Sequence, residues 1–419
     1  MKINHLPLRI ARSRIALKTL LFALLIFAVF AIWTRLNFPP QYDEIAHQAF
    51  AQEIANHPGW STLIDYEGAR DYEAQGPLFF ALLGAYGHWF GFALPILRTL
   101  TIVFAVLLAV SFAKLAEQLG YGASAISLIC LPYFVILGTT AMTDVPCLAL
   151  TVFAVYAFLA YTDSKSLSHL VLGVLASTSA SYIRIDSLYV LVAIGAAFAV
   201  RNCLTRQLAI GLIAPFLLRA PLVFIWGSLA APTAQGRPIP VALGVDLSHV
   251  VFSLAVIGLY FWPFALALRS NSRRWLFGVA VAMLIAIMLC VFWMPKLSAD
   301  NVDSYAGTIR TVLLRVSETG FRWTIWLVLV ATGAVVCFRL LTCAPQHNVK
   351  VLAVKLICFL GLIMQALRGH VMYERYLLEV SAFFLLPFIT SPKRREVWLW
   401  CGWASLLQIA QLFRNNVLP

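Results

Sequence analysis

Apolar runs long enough to cross a bilayer recur along the whole chain, separated by short polar connections, and this pattern leaves few folds open. Lipid offers no partner to a backbone N–H or C=O, so a chain that repeatedly enters it must do so as helices or as a closed barrel. Runs of this length, without two-residue alternation, specify helices. Hydrophobic residues make up 61% of the 419 and charged residues only 12%, which excludes an ordinary soluble domain. The sequence therefore reads as an all-α polytopic membrane protein.

The positive charge orients the helices. The formal net charge is +13, and Lys and Arg fall mainly in short clusters between apolar runs, the placement expected of cytoplasmic loops. No nucleic-acid partner is needed to explain it. Lys2, Arg9, Arg12 and Arg14 before the first run, 15–33, with Lys18 in its first turn, set the N-terminus in the cytoplasm. That run lacks a small-residue cleavage site and is read as a retained helix. Further spans are expected at 95–117, 122–141, 145–161, 168–182, 186–201, 205–228, 247–268, 274–294, 321–341, 350–367, 376–391 and 396–413, about thirteen in all. The stretch 77–92 is short and holds Gly84, Gly87, His88 and Gly91, so it is expected to be interfacial or re-entrant. With that choice Arg201 and Arg206, Arg269 with Arg273 and Arg274, Arg339 with Lys350, and Lys393-Arg394-Arg395 all fall on the cytoplasmic side.

The opposite face then collects the chemistry. Segment 35–75 holds seven of the eighteen Asp and Glu residues: Asp43, Glu44, Glu53, Asp65, Glu67, Asp71 and Glu73. The same face receives Thr143-Asp144, Arg184 and Asp186, the loops 232–246 and 296–318, and Arg368, His370 and Arg375. Charges at the edge of apolar spans are costly without a partner or a task. Asp43 and Glu44 precede an amphipathic pattern and either favour a helix N-terminus through the dipole or supply a general base. His47 follows at helical spacing, as a structural hydrogen-bonder or a substrate contact. Glu73 and Asp144 are oxygen donors that could share a divalent cation, or solvated charges. Arg184 suits a phosphate, with Asp186 as the structural alternative partner, and Arg368, His370 and Arg375 form a second basic patch facing substrate or lipid headgroups.

The cysteines lie in or near apolar runs without a Cys-x-x-Cys pair, so neither a disulfide framework nor a thiolate metal site is expected. No internal repeat or long soluble stretch is visible, so residues 1–419 read as one membrane domain.

These residues resemble the GT-C class of membrane glycosyltransferases. The likeness lies in Tyr42-Asp43-Glu44 after a first span, Glu73-Ala-Gln-Gly-Pro77-Leu-Phe-Phe80, Thr143-Asp144-Val-Pro146 opening a later span, and Tyr373-Glu-Arg-Tyr376-Leu-Leu, where Glu379 stands at a position often held by proline. Asp43-Glu44-Ile45-x-His47 and Ala299-Asp300-Asn301 are similar to segments of the glucosyltransferases that add the last glucose to the dolichol-linked oligosaccharide. Glu73 before Pro77 and Thr143-Asp144 look more like the protein O-mannosyltransferase and lipid A aminoarabinose transferase branch.

The resemblance implies a GT-C-like module over 1–201, including the non-cytoplasmic loop 35–94 with its interfacial helices, followed by a variable module over 202–419. It implies a polyprenyl-phosphate-linked sugar as donor, and a glycan, lipid or protein hydroxyl as acceptor. Asp43, with Glu44, would be catalytic; Glu73 and Asp144 would hold a metal or the acceptor; Arg184 would meet the donor phosphate. No nucleotide cofactor is expected, and a divalent metal ion is a candidate one. A bacterial inner membrane is favoured, or the endoplasmic reticulum in a eukaryote. The rival expectation from another class is a transporter or lipid flippase, which predicts ionisable groups at mid-span depth.

Overall fold

The computed structural model describes residues 38–41, 43–59, 76–120, 125–227, 247–266, 273–293, 305–306, 319–342, 348–366, 372–388 and 394–414. They are helical apart from turns and one two-residue parallel pairing, and they form two compact units, 1–129 with 134–239 and 412–419, and 130–133 with 240–411. Five helices are long and apolar enough to cross a membrane, so this is a multi-pass membrane protein. The first expected span, 15–33, lies outside the described residues.

The first unit contains α1 (Glu44–Asn56), α2 (Pro77–Phe90), α3 (Leu94–Gln118), α4 (Ala125–Ile129), α5 (Phe134–Gly138), α6 (Asp144–Ser164), α7 (Leu167–Ile183), a 3-10 turn (Ile185–Leu188), α8 (Tyr189–Val200) and α9 (Arg206–Trp226). α3 and α6 run parallel. Their N-terminal ends share Glu44, which bonds Arg98 of α3 and the amide of Ala141 just before α6. At their far ends Gln118 Nε2 donates to Asp163 Oδ2 at 3.4 Å. The chain between them must therefore return the full height, about 37 Å for a 25-residue helix.

That return is not the single span expected over 122–141. It breaks between α4 and α5 at Cys130-Leu-Pro-Tyr133, where Pro132 removes a backbone donor and Tyr133 adopts φ 66°. An apolar run carrying proline signals this break; the length of the run hides it. Likewise the expected spans 186–201 and 376–391 each open with a 3-10 turn, leaving α-helices of 12 and 11 residues.

α2 does not cross. Its first residues are latched to the end of α7, where the Gly76 amide donates to the Ile183 carbonyl at 2.6 Å, and its last residues lead directly into the N-terminus of α3. Both points lie at the Glu44–Arg98 end of the unit. A 14-residue helix of about 21 Å therefore lies across that end, packed on α1. Proline at its first position suits the missing intrahelical partner there. Gly76 is required sterically, since a Cβ would overlap the Tyr182 carbonyl.

The second unit contains α10 (Leu247–Leu266), α11 (Arg273–Trp293), β1 (Tyr305–Ala306), α12 (Thr319–Thr342), α13 (Val349–Ala366), β2 (Met372–Tyr373), a 3-10 turn (Glu374–Leu377), α14 (Leu378–Phe388) and α15 (Arg394–Arg414). α10 and α12 approach backbone to backbone through Gly258 and Gly333, the close contact small residues allow where lipid provides no hydrophobic drive. Phe261, Phe264, Phe384, Phe388 and Trp400 stack into its aromatic core. β1 pairs with β2 in parallel, Tyr305 opposite Met372 and Ala306 opposite Tyr373. α9 packs on α7 within the first unit.

Candidate functional site

One end of the first unit gathers the charged groups. α6 starts there at Asp144, α7 ends there at Ile183, and the turn to α8 supplies Arg184 and Asp186. The opposite end carries Lys114, Lys165, Arg201 and Arg206. Glu117 and Asp163 lie at that far end as well, and Arg98 and Arg184 at the first, so each end carries both signs.

The first cluster is sealed. Arg98 lies one turn inside α3, and its guanidinium donates from Nε to Glu44 Oε1 at 2.8 Å and from Nη2 to Oε2 at 2.6 Å. It also donates to the carbonyls of Phe38 and Pro39 at 3.2 and 3.3 Å and lies 3.6 Å from the Phe38 ring centroid. Glu44 in turn accepts the Gln41 amide on Oε2 at 2.8 Å and the Ala141 amide on Oε1 at 2.7 Å. Burying an ion pair is tolerable only when its remaining protons and lone pairs are satisfied, and here both sides are. Glu44 thus has its oxygens committed to the protein, a holding role distinct from proton transfer.

His47 sits one turn further on and is 0% exposed. Its Nδ1 is 2.7 Å from the Ala141 carbonyl, which can only accept, so Nδ1 carries the proton. Phe79 and Phe80 of α2 meet the ring edge-on. A ring enclosed this way fastens α1 to the strap 139–144 and does not face open solvent. Asp43, by contrast, is partly exposed at the N-terminus of α1, and its carboxylate makes no capping hydrogen bond.

The second cluster is half-open. Arg184 donates from Nη1 to Asp144 Oδ1 at 3.2 Å, and from Nε and Nη2 to the two oxygens of Asp186 at 3.3 and 3.0 Å. Burial works against its charge, and Asp186 and Asp144 outweigh that, holding the guanidinium well above the ordinary arginine range. The Arg184 fork is thus shared between two carboxylates in this structure.

Among the described residues no three His, Cys, Asp or Glu side chains gather as a metal ligand set. Arg184 occupies one Asp144 oxygen and repels a cation beside it, so the described surroundings of Asp144 do not fit a divalent ion. Glu73, Arg368 and His370 lie outside the described residues. Arg375 belongs to the second unit, buried in the 3-10 turn after β2.

Two residues carry more than the sequence suggested. Arg98 was hidden in an apolar run, though an arginine one turn inside a span is itself a signal. Arg219 of α9 is 2% exposed and donates to the Ser181 carbonyl at 2.6 Å, with the Tyr182 and Trp226 rings about it. Ser181 lies in the last turn of α7, where carbonyls lack helical partners and a cation is favoured. No protein-family model matches the chain, and no curated protein matches its sequence.

Proposed function

We propose that this protein is a membrane glycosyltransferase that moves a sugar from a polyprenyl-phosphate carrier to a hydroxyl of a glycan, lipid or protein. The observation that supports this most is the strap 139–144. Glu44 and His47 grip its Ala141, and Asp144 ends it in the grip of Arg184, so Asp43 and Asp144 belong to one rigid end of the bundle. Carboxylates at the mouth of an apolar helical unit suit a reaction between a lipid-borne donor and a polar acceptor.

In this reading Asp43 accepts the acceptor's hydroxyl proton as the oxygen attacks the anomeric carbon, the carbon–phosphate oxygen bond breaks, and the lipid phosphate leaves from the opposite side with inversion. The transition state carries oxocarbenium character, as in glycoside hydrolysis. Asp144 orients the acceptor or the sugar. Arg184 meets the departing phosphate by exchanging its 3.2 Å contact with Asp144 for a phosphate oxygen. About thirteen spans, a cytoplasmic N-terminus, and a site facing away from the cytoplasm in a bacterial inner membrane complete the reading, with the endoplasmic reticulum as the equivalent in a eukaryote.

The test is transfer from radiolabelled polyprenyl-phosphate hexoses in membranes containing the full chain, comparing wild type with Asp43→Asn. Loss of transfer by about 10²–10⁴-fold is expected for a general base; wild-type rates in the variant would remove Asp43 from that role. A transporter or flippase is the second reading, favoured by Arg219, which is buried about 10 Å from the end of a span. Flipping of a fluorescent polyprenyl phosphate in proteoliposomes, with no sugar transferred, would establish it instead.

A further inference from the structure

We infer that Arg98 is a positioning residue, which fixes the Asp43 end of α1 against the strap 139–144 and acts through Glu44. This rests on the reading of Asp43 as the base, and its own test does not need that reading. Three observations carry it. Arg98 is 1% exposed and Glu44 0%, so neither touches a substrate. The three nitrogens of the Arg98 guanidinium divide between two parts of one small structure: Nη1 and Nη2 hold the chain entering α1 through the Phe38 and Pro39 carbonyls, and Nε and Nη2 hold the first residue of α1 through Glu44. The other side of Glu44 holds the Gln41 and Ala141 amides.

The arrangement therefore ties together three stretches distant in sequence: 38–44, the first turn of α3, and the strap leading to Asp144. Asp43 lies between two anchored positions, Gln41 and Glu44. Its backbone carbonyl also accepts the His47 amide at 2.9 Å, so α1 begins where Arg98 dictates. The pair is also polar in a directional sense. Glu44 must be an acceptor because two backbone amides point at it, and Arg98 must be a donor because two backbone carbonyls face it. Exchanging the two side chains keeps the net charge and reverses every one of those contacts.

The experiment is hydrogen exchange of the full detergent-solubilised chain, read by mass spectrometry, for wild type, Arg98→Lys, Arg98→Gln and the exchanged double variant Glu44→Arg with Arg98→Glu. Arg98→Gln should speed exchange in 41–56 and 139–143 by about tenfold or more beyond any acceleration in 206–226, the factor carried by losing one charge-assisted hydrogen bond. Arg98→Lys, which keeps the charge and loses the fork, should fall between. The exchanged variant should be no better protected than Arg98→Gln.

Uniform acceleration across the chain in Arg98→Lys would overturn the inference by showing a general stability role. So would unchanged exchange in 41–56 for Arg98→Gln, or recovery in the exchanged variant, which would make the pair a simple charge match. If transfer from the labelled polyprenyl-phosphate hexoses is measurable, Arg98→Lys should lower kcat while leaving the donor KM unchanged. If Asp43→Asn transfers normally but the exchange pattern holds, the base assignment fails and the positioning role of Arg98 stands.

Discussion

Glu44 and Arg98 keep 0% and 1% of their side-chain surface exposed, whereas Asp144, Arg184 and Asp186 keep 7%, 14% and 21%. Both clusters pair arginine with carboxylate at the same end of the first unit, and both touch the strap 139–144. They differ in what satisfies them. The sealed pair uses backbone carbonyls and amides from two stretches, 38–41 and Ala141, so its geometry is over-determined. In the open triad the Arg184 side chain meets the side chains of Asp144 and Asp186, with a 3.2 Å contact joining Asp144 to Arg184. The more heavily bonded pair lies where solvent does not reach, and the more exposed charges lie in the second cluster.

The largest effect should come from breaking the sealed pair. Replacing Arg98 with Met leaves Glu44 buried opposite two carbonyls, a loss of about 3–5 kcal/mol for an uncompensated buried charge. A fluorescence-detected melting assay of the detergent-solubilised chain checks this. If Arg98→Met melts like wild type, the contrast between the clusters collapses.

Next is Gly76→Ala. Its Cβ would collide with the Tyr182 carbonyl, so α2 must pull away from the end of α7 or strain, at a cost of about 1–3 kcal/mol. Because Ile183 immediately precedes Arg184, the displacement should reach the open triad before the sealed pair. Hydrogen exchange is the measurement: acceleration should appear at 181–188 and leave 139–143 protected. The reverse order would mean that α2 supports the wrong cluster.

This contrast explains what could be read in the sequence. The helices of the first unit follow from apolar run length, a local property. The open triad is partly local too, since Arg184 and Asp186 are neighbours and the Arg184-Asp186 pairing was foreseen as the structural alternative. Glu44–Arg98 joins residues 54 apart, with Ala141 97 residues from Glu44, and no periodicity encodes such pairings. The break at Pro132 was visible as a proline but outweighed by the apolar length around it. Glu73, Arg368 and His370, read from the same charge pattern, lie outside the described residues.

A smaller change in stability is expected at Arg184. Arg184→Gln removes the contacts to Asp144 and Asp186, which retain some solvent, so about 1–2 kcal/mol is the expected loss. Transfer should fall more steeply than stability if the guanidinium meets the departing phosphate. Arg184→Lys should recover the stability better than the transfer, because an ammonium supplies charge without the planar fork. Equal recovery of both would assign Arg184 to structure alone, alongside Arg98.

The smallest effect on stability belongs to Asp43, and it sharpens the comparison most. Asp43 is partly exposed at the N-terminus of α1, so Asp43→Asn should shift stability by about 1 kcal/mol or less, well below the changes above. Its immediate neighbour, Glu44, should respond in the opposite way. Glu44→Gln keeps the shape but gives up the charge that Arg98 faces, and one of its terminal atoms becomes a donor directed at groups that already donate, the Arg98 fork together with either the Ala141 or the Gln41 amide. Measured side by side, the Asn variant should fold and fail to transfer, while the Gln variant should melt early. If Asp43→Asn melts as early as Glu44→Gln, the two adjacent carboxylates share one structural task, and the separation between a held position and a reactive one disappears.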